Sequence, residues 1–143
     1  MKKLPLLLTL FIVLSCSPEP FPIEYGEDQC AACKMIISDS RFGCELVTTK
    51  GKVYKYDAIE CLVPEVIKNG TDHYSFILVS DYKNPGKLID VKEAAFKIDP
   101  GVPSPMGGNL SAYTEAQMND KDEYLDWVGL VTTLSRIERY SNY

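Results

Sequence analysis

The segment Cys30-Ala31-Ala32-Cys33-Lys34-Met35 carries two thiols and a thioether in six residues. Thiolate and thioether sulfurs are soft donors that favour Cu(I), an ion content with few ligands and needing neither carboxylate nor imidazole. On an extended stretch, residues i and i+2 point to the same side, so Cys33 and Met35 are expected to face one metal ion. Met106, in Pro105-Met106-Gly107-Gly108, offers a further sulfur on a loop that its glycines leave free to approach. The metal-ligand candidates are therefore Cys33, Met35, Met106 and Cys30.

Other chemistries share the C-x-x-C spacing. A thiol–disulfide oxidoreductase using Cys30 and Cys33 would place the motif at the start of a helix after a strand. Here it follows a polar stretch, and Met35-Ile36-Ile37-Ser38 reads as extended. Haem attachment would require histidine at the Lys34 position. A structural zinc site needs a second ligand pair, and Cys44 and Cys61 have the wrong spacing for one. A plain Cys30–Cys33 disulfide with Met35 in the core, in a structural or interaction protein without metal, stays open. So does a choice between a Cys44–Cys61 disulfide and buried free thiols. His73 reads as a solvated loop residue and Met118 as core. No Ser-His-Asp set, carboxylate pair or phosphate-cradling glycine run stands out, and no enzymatic role is expected.

The N-terminus reads as an export signal. Lys2 and Lys3 precede the apolar run Leu6 to Leu14, and Val13-Leu14-Ser15-Cys16 follows. The run is shorter than the roughly 20 residues a spanning helix needs and ends on a small residue, as a secretory signal does. Cysteine at that point is the bacterial lipoprotein arrangement: cleavage before Cys16, with acyl chains on its thiol and amine. Several chains hold a protein at a membrane stably. Residues 1–15 are thus expected to be the signal, and residues 16–29 the lipidated cysteine and a proline-rich tether. The expected location is the bacterial cell envelope, lipid-anchored, facing the periplasm or in the outer membrane.

Loss of residues 1–15 leaves 128 of the 143, enough for one compact body. The formal net charge of −5 becomes −7 without Lys2 and Lys3. Phosphate binding requires a basic face, so nucleic acid is excluded as an expected partner.

The elements that must carry these sulfurs follow from local pattern. Phe42 to Thr49 and Val53 to Tyr56 read as a hairpin turning at Lys50-Gly51. Asp57 and Glu60 form a capping-box pattern that opens a helix, disturbed at Pro64 and ended by Asn69-Gly70. Ser75 to Ser80 reads as a buried strand. The order then repeats: a strand at Ala94 to Ile98, a Pro/Gly-rich loop from Asp99 to Gly108, a strand at Asn109 to Tyr113. Thr114 and Gln117 then cap a helix reaching about Trp127, and the β-branched run Val128 to Leu134 favours a final strand. Val53, Tyr56, Asp57 and Glu60 superpose on Leu110, Tyr113, Thr114 and Gln117. The expected fold is α+β, with two tandem similar ββαβ units (30–82 and 83–143) forming one compact body.

Taken together, the lipoprotein signal, Cys30-x-x-Cys33-x-Met35-x-Ile37, Val53-Tyr54-Lys55-Tyr56-Asp57 before Cys61, and Pro105-Met106-Gly107-Gly108-Asn109-Leu110 before Ala112-Tyr113 resemble the NosL family. The resemblance spans essentially the whole mature chain. It implies a Cu(I)-binding lipoprotein, a metallochaperone that supplies copper to nitrous-oxide reductase alongside membrane-associated maturation proteins. It also implies two ββαβ halves, with Cys33 and Met35 as ligands, then Met106, then Cys30. Lys34 stands where that family has glycine, and residues 135–143 depart from its pattern.

Overall fold

A computed structural model describes residues 17–137. The expected signal and the lipidation site at Cys16 lie outside the described residues. The strands are β1 (Cys44–Thr48), β2 (Val53–Tyr56), β3 (Tyr74–Ser80), β4 (Leu88–Asp90), β5 (Ala94–Ile98) and β6 (Leu110–Thr114). The helices are α1 (Ile59–Asn69), between β2 and β3, and α2 (Trp127–Ser135), after β6.

Four strands form an antiparallel sheet in the order β2-β1-β3-β4, and β5 and β6 form an antiparallel pair. A parallel bridge from Asp81 to Ala112 links the end of β3 to β6. The expected hairpin, helix and strand of the first half are all present, so this half has the ββαβ order. β4 had no counterpart among the expected elements; three residues are too few for a periodic signal.

Every residue of β1 is buried, because the strand is central and covered on both faces. Cys44 and Leu46 join the core under α1, which adds Ile59, Leu62, Val63 and Val66. On the opposite face, Glu45 is held beneath the tether, where its Oε1 accepts the Phe21 N–H at 2.9 Å. Burial raises the Glu45 carboxyl above its ordinary range. The tether is therefore partly docked. Gly43 permits that docking, since a Cβ there would meet the Tyr25 hydroxyl at 2.7 Å.

The second half departs from expectation in two places. Thr114 and Gln117 do form a capping box, but it opens only a short 3-10 turn, Glu115–Gln117. Asn119 then accepts the Lys121 and Asp122 N–H groups with its own side chain, at 3.0 and 3.1 Å. That local turn competes with helix continuation, and it leaves Met118 exposed rather than in the core.

The second departure is at residues 128–134, which are helical despite their β-branched composition. Asp126 caps α2 by accepting the Gly129 N–H at 2.7 Å. Leu130 and Leu134, one turn apart, are buried, and α2 packs on α1 and β5. Tertiary burial at helical spacing outweighs strand propensity here.

Candidate metal centre

The segment Cys30 to Met35 closes on itself. The Cys30 N–H donates to the Met35 carbonyl at 2.8 Å, and the Lys34 N–H donates to the Cys30 carbonyl at 3.1 Å. A bridge between Gln29 and Ile36 seals the base of this loop. The Ala31 N–H donates to the Lys55 carbonyl on β2 at 2.8 Å, which fixes the loop beside the strand leading into α1. The expected extended geometry from Cys33 to Met35 is replaced by a turn. Lys34 sits at φ 65°, a left-handed conformation suited to glycine, and its ammonium donates to the Ala31 carbonyl at 2.5 Å.

Helix α1 brings in a third thiol. Cys61 lies in its first turn, and the sulfurs of Cys30, Cys33 and Cys61 all lie within 4.8 Å of one another. Cys30 is fully buried and Cys61 nearly so; Cys33 is half-buried at the rim. Three thiolates bonded to one ion at about 2.3 Å in trigonal arrangement stand about 4 Å apart. The donor set therefore fits a soft cation after only a small contraction. Among the described residues, no histidine or carboxylate joins the group.

The three thiols are not equivalent. The Cys61 thiol directed at the Cys30 sulfur is the main cause that lowers Cys30 to about 4, and N–H groups of Asp57, Cys33 and Ala32 also support the thiolate against its burial. Backbone N–H groups converging in this way form an anion-binding nest. Cys61 is pushed up by the Cys30 sulfur and by burial; Cys33 is raised mainly by burial. Negative charge in the metal-free cluster is thus favoured on Cys30 over Cys33 and Cys61. Burial, with the Cys30 charge beside it, also raises the Asp57 carboxyl. Asp57 is not the N-cap the sequence suggested; that position falls to Ala58, without a side-chain cap.

The fold, too, has a known counterpart. No protein-family model matches the chain, and no curated protein matches it by sequence. Among solved structures, the crystal structure of the copper chaperone NosL from Shewanella denitrificans is similar, with a TM-score of 0.60. The similarity covers 78% of this chain and 94% of that one, at 15% sequence identity. The chain has the NosL fold.

Within this NosL fold the predicted site residues separate. Cys30 and Cys33 are brought together, and Cys61 joins them, which spacing did not reveal. Met35 follows Cys33 in the chain and is 50% exposed, so it is not the core residue of the disulfide reading. Met106 is half-buried against the core cluster that contains Cys30 and Cys61. Cys44 stands apart: its thiol donates to the Phe42 carbonyl at 3.0 Å. The four described cysteines are free of disulfides, and no Cys44–Cys61 bridge is formed. His73 is exposed and packs edge-on against Tyr74.

Proposed function

We propose that this chain carries one Cu(I) ion on Cys30, Cys33 and Cys61 and delivers it for the maturation of nitrous-oxide reductase. The observation that carries the reading is the convergence of three thiol sulfurs without a hard donor among them. Zinc favours four ligands in a closed tetrahedral site, whereas Cu(I) is satisfied by three sulfurs. The similarity to a copper chaperone supports the same metal.

Loading exchanges protons for copper. Cys30 is already ionised, so the incoming ion meets a thiolate, and Cys33 and Cys61 each release a proton to solvent as they bind. The complex of three thiolates with Cu(I) then carries two negative charges. The N–H groups around Cys30 stabilise part of that charge. Met106 supplies an additional thioether. Exposed Met35, two residues after Cys33 in the chain, offers a further thioether on the solvent side.

Delivery proceeds by ligand exchange. An acceptor sulfur or imidazole bonds to the ion from the Cys33 side, and Cys33 is the first thiolate to leave, taking up a proton. Cys61, taking up a second proton, and then Cys30 follow as further acceptor donors bond, so the ion is never free. Acyl chains on Cys16 would hold the carrier at the membrane, among the maturation proteins that assemble the reductase. The rival thiol–disulfide oxidoreductase would use Cys30 and Cys33 as its redox pair.

The test is transfer. Copper-loaded protein is mixed with membranes bearing the maturation proteins and with metal-free reductase. Copper appearing in the reductase, and not when the Cys33→Ala protein is used, supports the reading. Insulin reduction by the metal-free protein, with no copper movement, would favour the oxidoreductase.

A further inference from the structure

Glu60 is a buried carboxyl in the first turn of α1, immediately before Cys61 in the chain. It does not cap its own helix. Its Oε1 instead accepts the Ser104 hydroxyl and, at 3.0 Å, the Gly108 N–H. Ser104 Oγ in turn accepts the Asn109 N–H at 2.9 Å, and the Ser104 carbonyl accepts the Gly107 N–H at 2.9 Å. Gly107 and Asn109 both take positive φ, 74° and 59°, so the segment wraps tightly around this one oxygen. Met106 lies at the centre of the wrapped segment, with anchored residues on both sides. The long Pro/Gly-rich loop is thereby tied to the same helical turn that supplies the third thiol.

We propose that Glu60 is a positioning residue that docks the Met106 thioether onto the three-thiol cluster as its additional donor, a role that rests on the reading of those thiols as a Cu(I) site. Without this anchor, the loop loses its direct tie to the first turn of α1. The Met106 thioether then loses that constraint, and the thiols, held by the 30–35 loop and by α1 itself, keep their places. Groups that orient a metal ligand in this way typically contribute about 10–100-fold in affinity.

The experiment is a double-mutant cycle on the full chain in detergent, read as Cu(I) affinity by competition with a chromophoric chelator. Met106→Leu and Glu60→Leu are each expected to weaken binding by about 10–100-fold, and the double variant is expected to be no weaker than either single one. Glu60→Gln keeps an acceptor oxygen and is expected to bind as the parent does. Copper–selenium scattering in selenomethionine-labelled protein lacking Met35 and Met118 is expected in Glu60→Gln and absent in Glu60→Leu. Should Glu60→Leu fail to fold, Ser104→Ala removes one anchoring donor and is expected to show a smaller loss that vanishes in the Met106→Leu background. Additive losses, or no loss in Met106→Leu, would overturn the role of Glu60 and leave the thiol site standing. A parent chain that binds no Cu(I) would overturn both.

Discussion

Cys61 and Cys30 are supplied by separate parts of the chain, yet their sulfurs lie within 4.8 Å and shift each other's ionisation in opposite directions, Cys30 down and Cys61 up. The negative charge of the three-sulfur site is therefore favoured on Cys30. Each shift depends on the other.

This pairing can be titrated. The ultraviolet absorbance of the Cys30 thiolate in the metal-free protein should appear with a midpoint of about 4. Cys61→Ala removes the leading cause and should move the midpoint up towards the ordinary thiol value of about 8.5. An unchanged midpoint would mean that the backbone N–H groups alone hold the thiolate.

The same ionisation has a stability consequence. Between about pH 4 and the unfolded thiol value, the unfolded chain binds a proton that folded Cys30 does not. Stability from this group is therefore complete above the unfolded value and is lost as pH falls through about 4. Urea unfolding should show the advantage of wild type over Cys30→Ser growing as pH rises through that window. A constant difference would contradict the ionised state.

Copper affinity should depend on pH with a known sign. Cys33 and Cys61 have raised values, so both are protonated near neutrality and both give up a proton on binding. Affinity should rise by about tenfold per pH unit for each proton released, and so by about 100-fold for two. Competition titrations at several pH values measure the slope. A flat profile would show that the ion binds without displacing thiol protons.

Lys34 occupies a left-handed position at φ 65°. A residue with a Cβ is disfavoured there by about 1 kcal/mol relative to glycine. Lys34→Gly should raise thermal stability by about 3 °C, less whatever the ammonium contact with Ala31 contributes. Differential scanning calorimetry would detect it, and a lowered midpoint would show that the contact outweighs the strain.

Helix α2 can be distinguished from the strand that composition favoured. A strand over 128–134 would put Val128, Leu130 and Leu134 on one face. The helix buries Leu130 and Leu134 and leaves Val128 69% exposed. Leu130→Ala should cost about 2–5 kcal/mol, whereas Val128→Ala should change stability by less than about 0.5 kcal/mol. Comparable losses at both positions would contradict the helix.

What the sequence disclosed was mostly local. The hairpin, α1 and its end at Asn69-Gly70, β3, β5 and β6 follow from patterns within a few residues, and each is present. The Cys30–Cys33 pair was visible for the same reason. Cys61 was not, because its nearness to Cys30 depends on the Ala31–Lys55 hydrogen bond and on the angle at which α1 leaves β2. Asp57 and Glu60 matched a capping pattern, but the tertiary fold uses both elsewhere: Asp57 beside Cys30 and Glu60 under the Met106 loop. The run 128–134 misled because its burial partners, α1 and β5, lie far away in the chain.

The most direct test of the account is a Cu(I) competition titration under reducing conditions on the full chain in detergent, with Cys30→Ala, Cys33→Ala, Cys61→Ala and Cys44→Ala alongside. One Cu(I) bound per chain, retained in Cys44→Ala and severely weakened in each of the other three, is the predicted result. No competitive binding by the parent, or full affinity in Cys61→Ala, would contradict the three-thiol site.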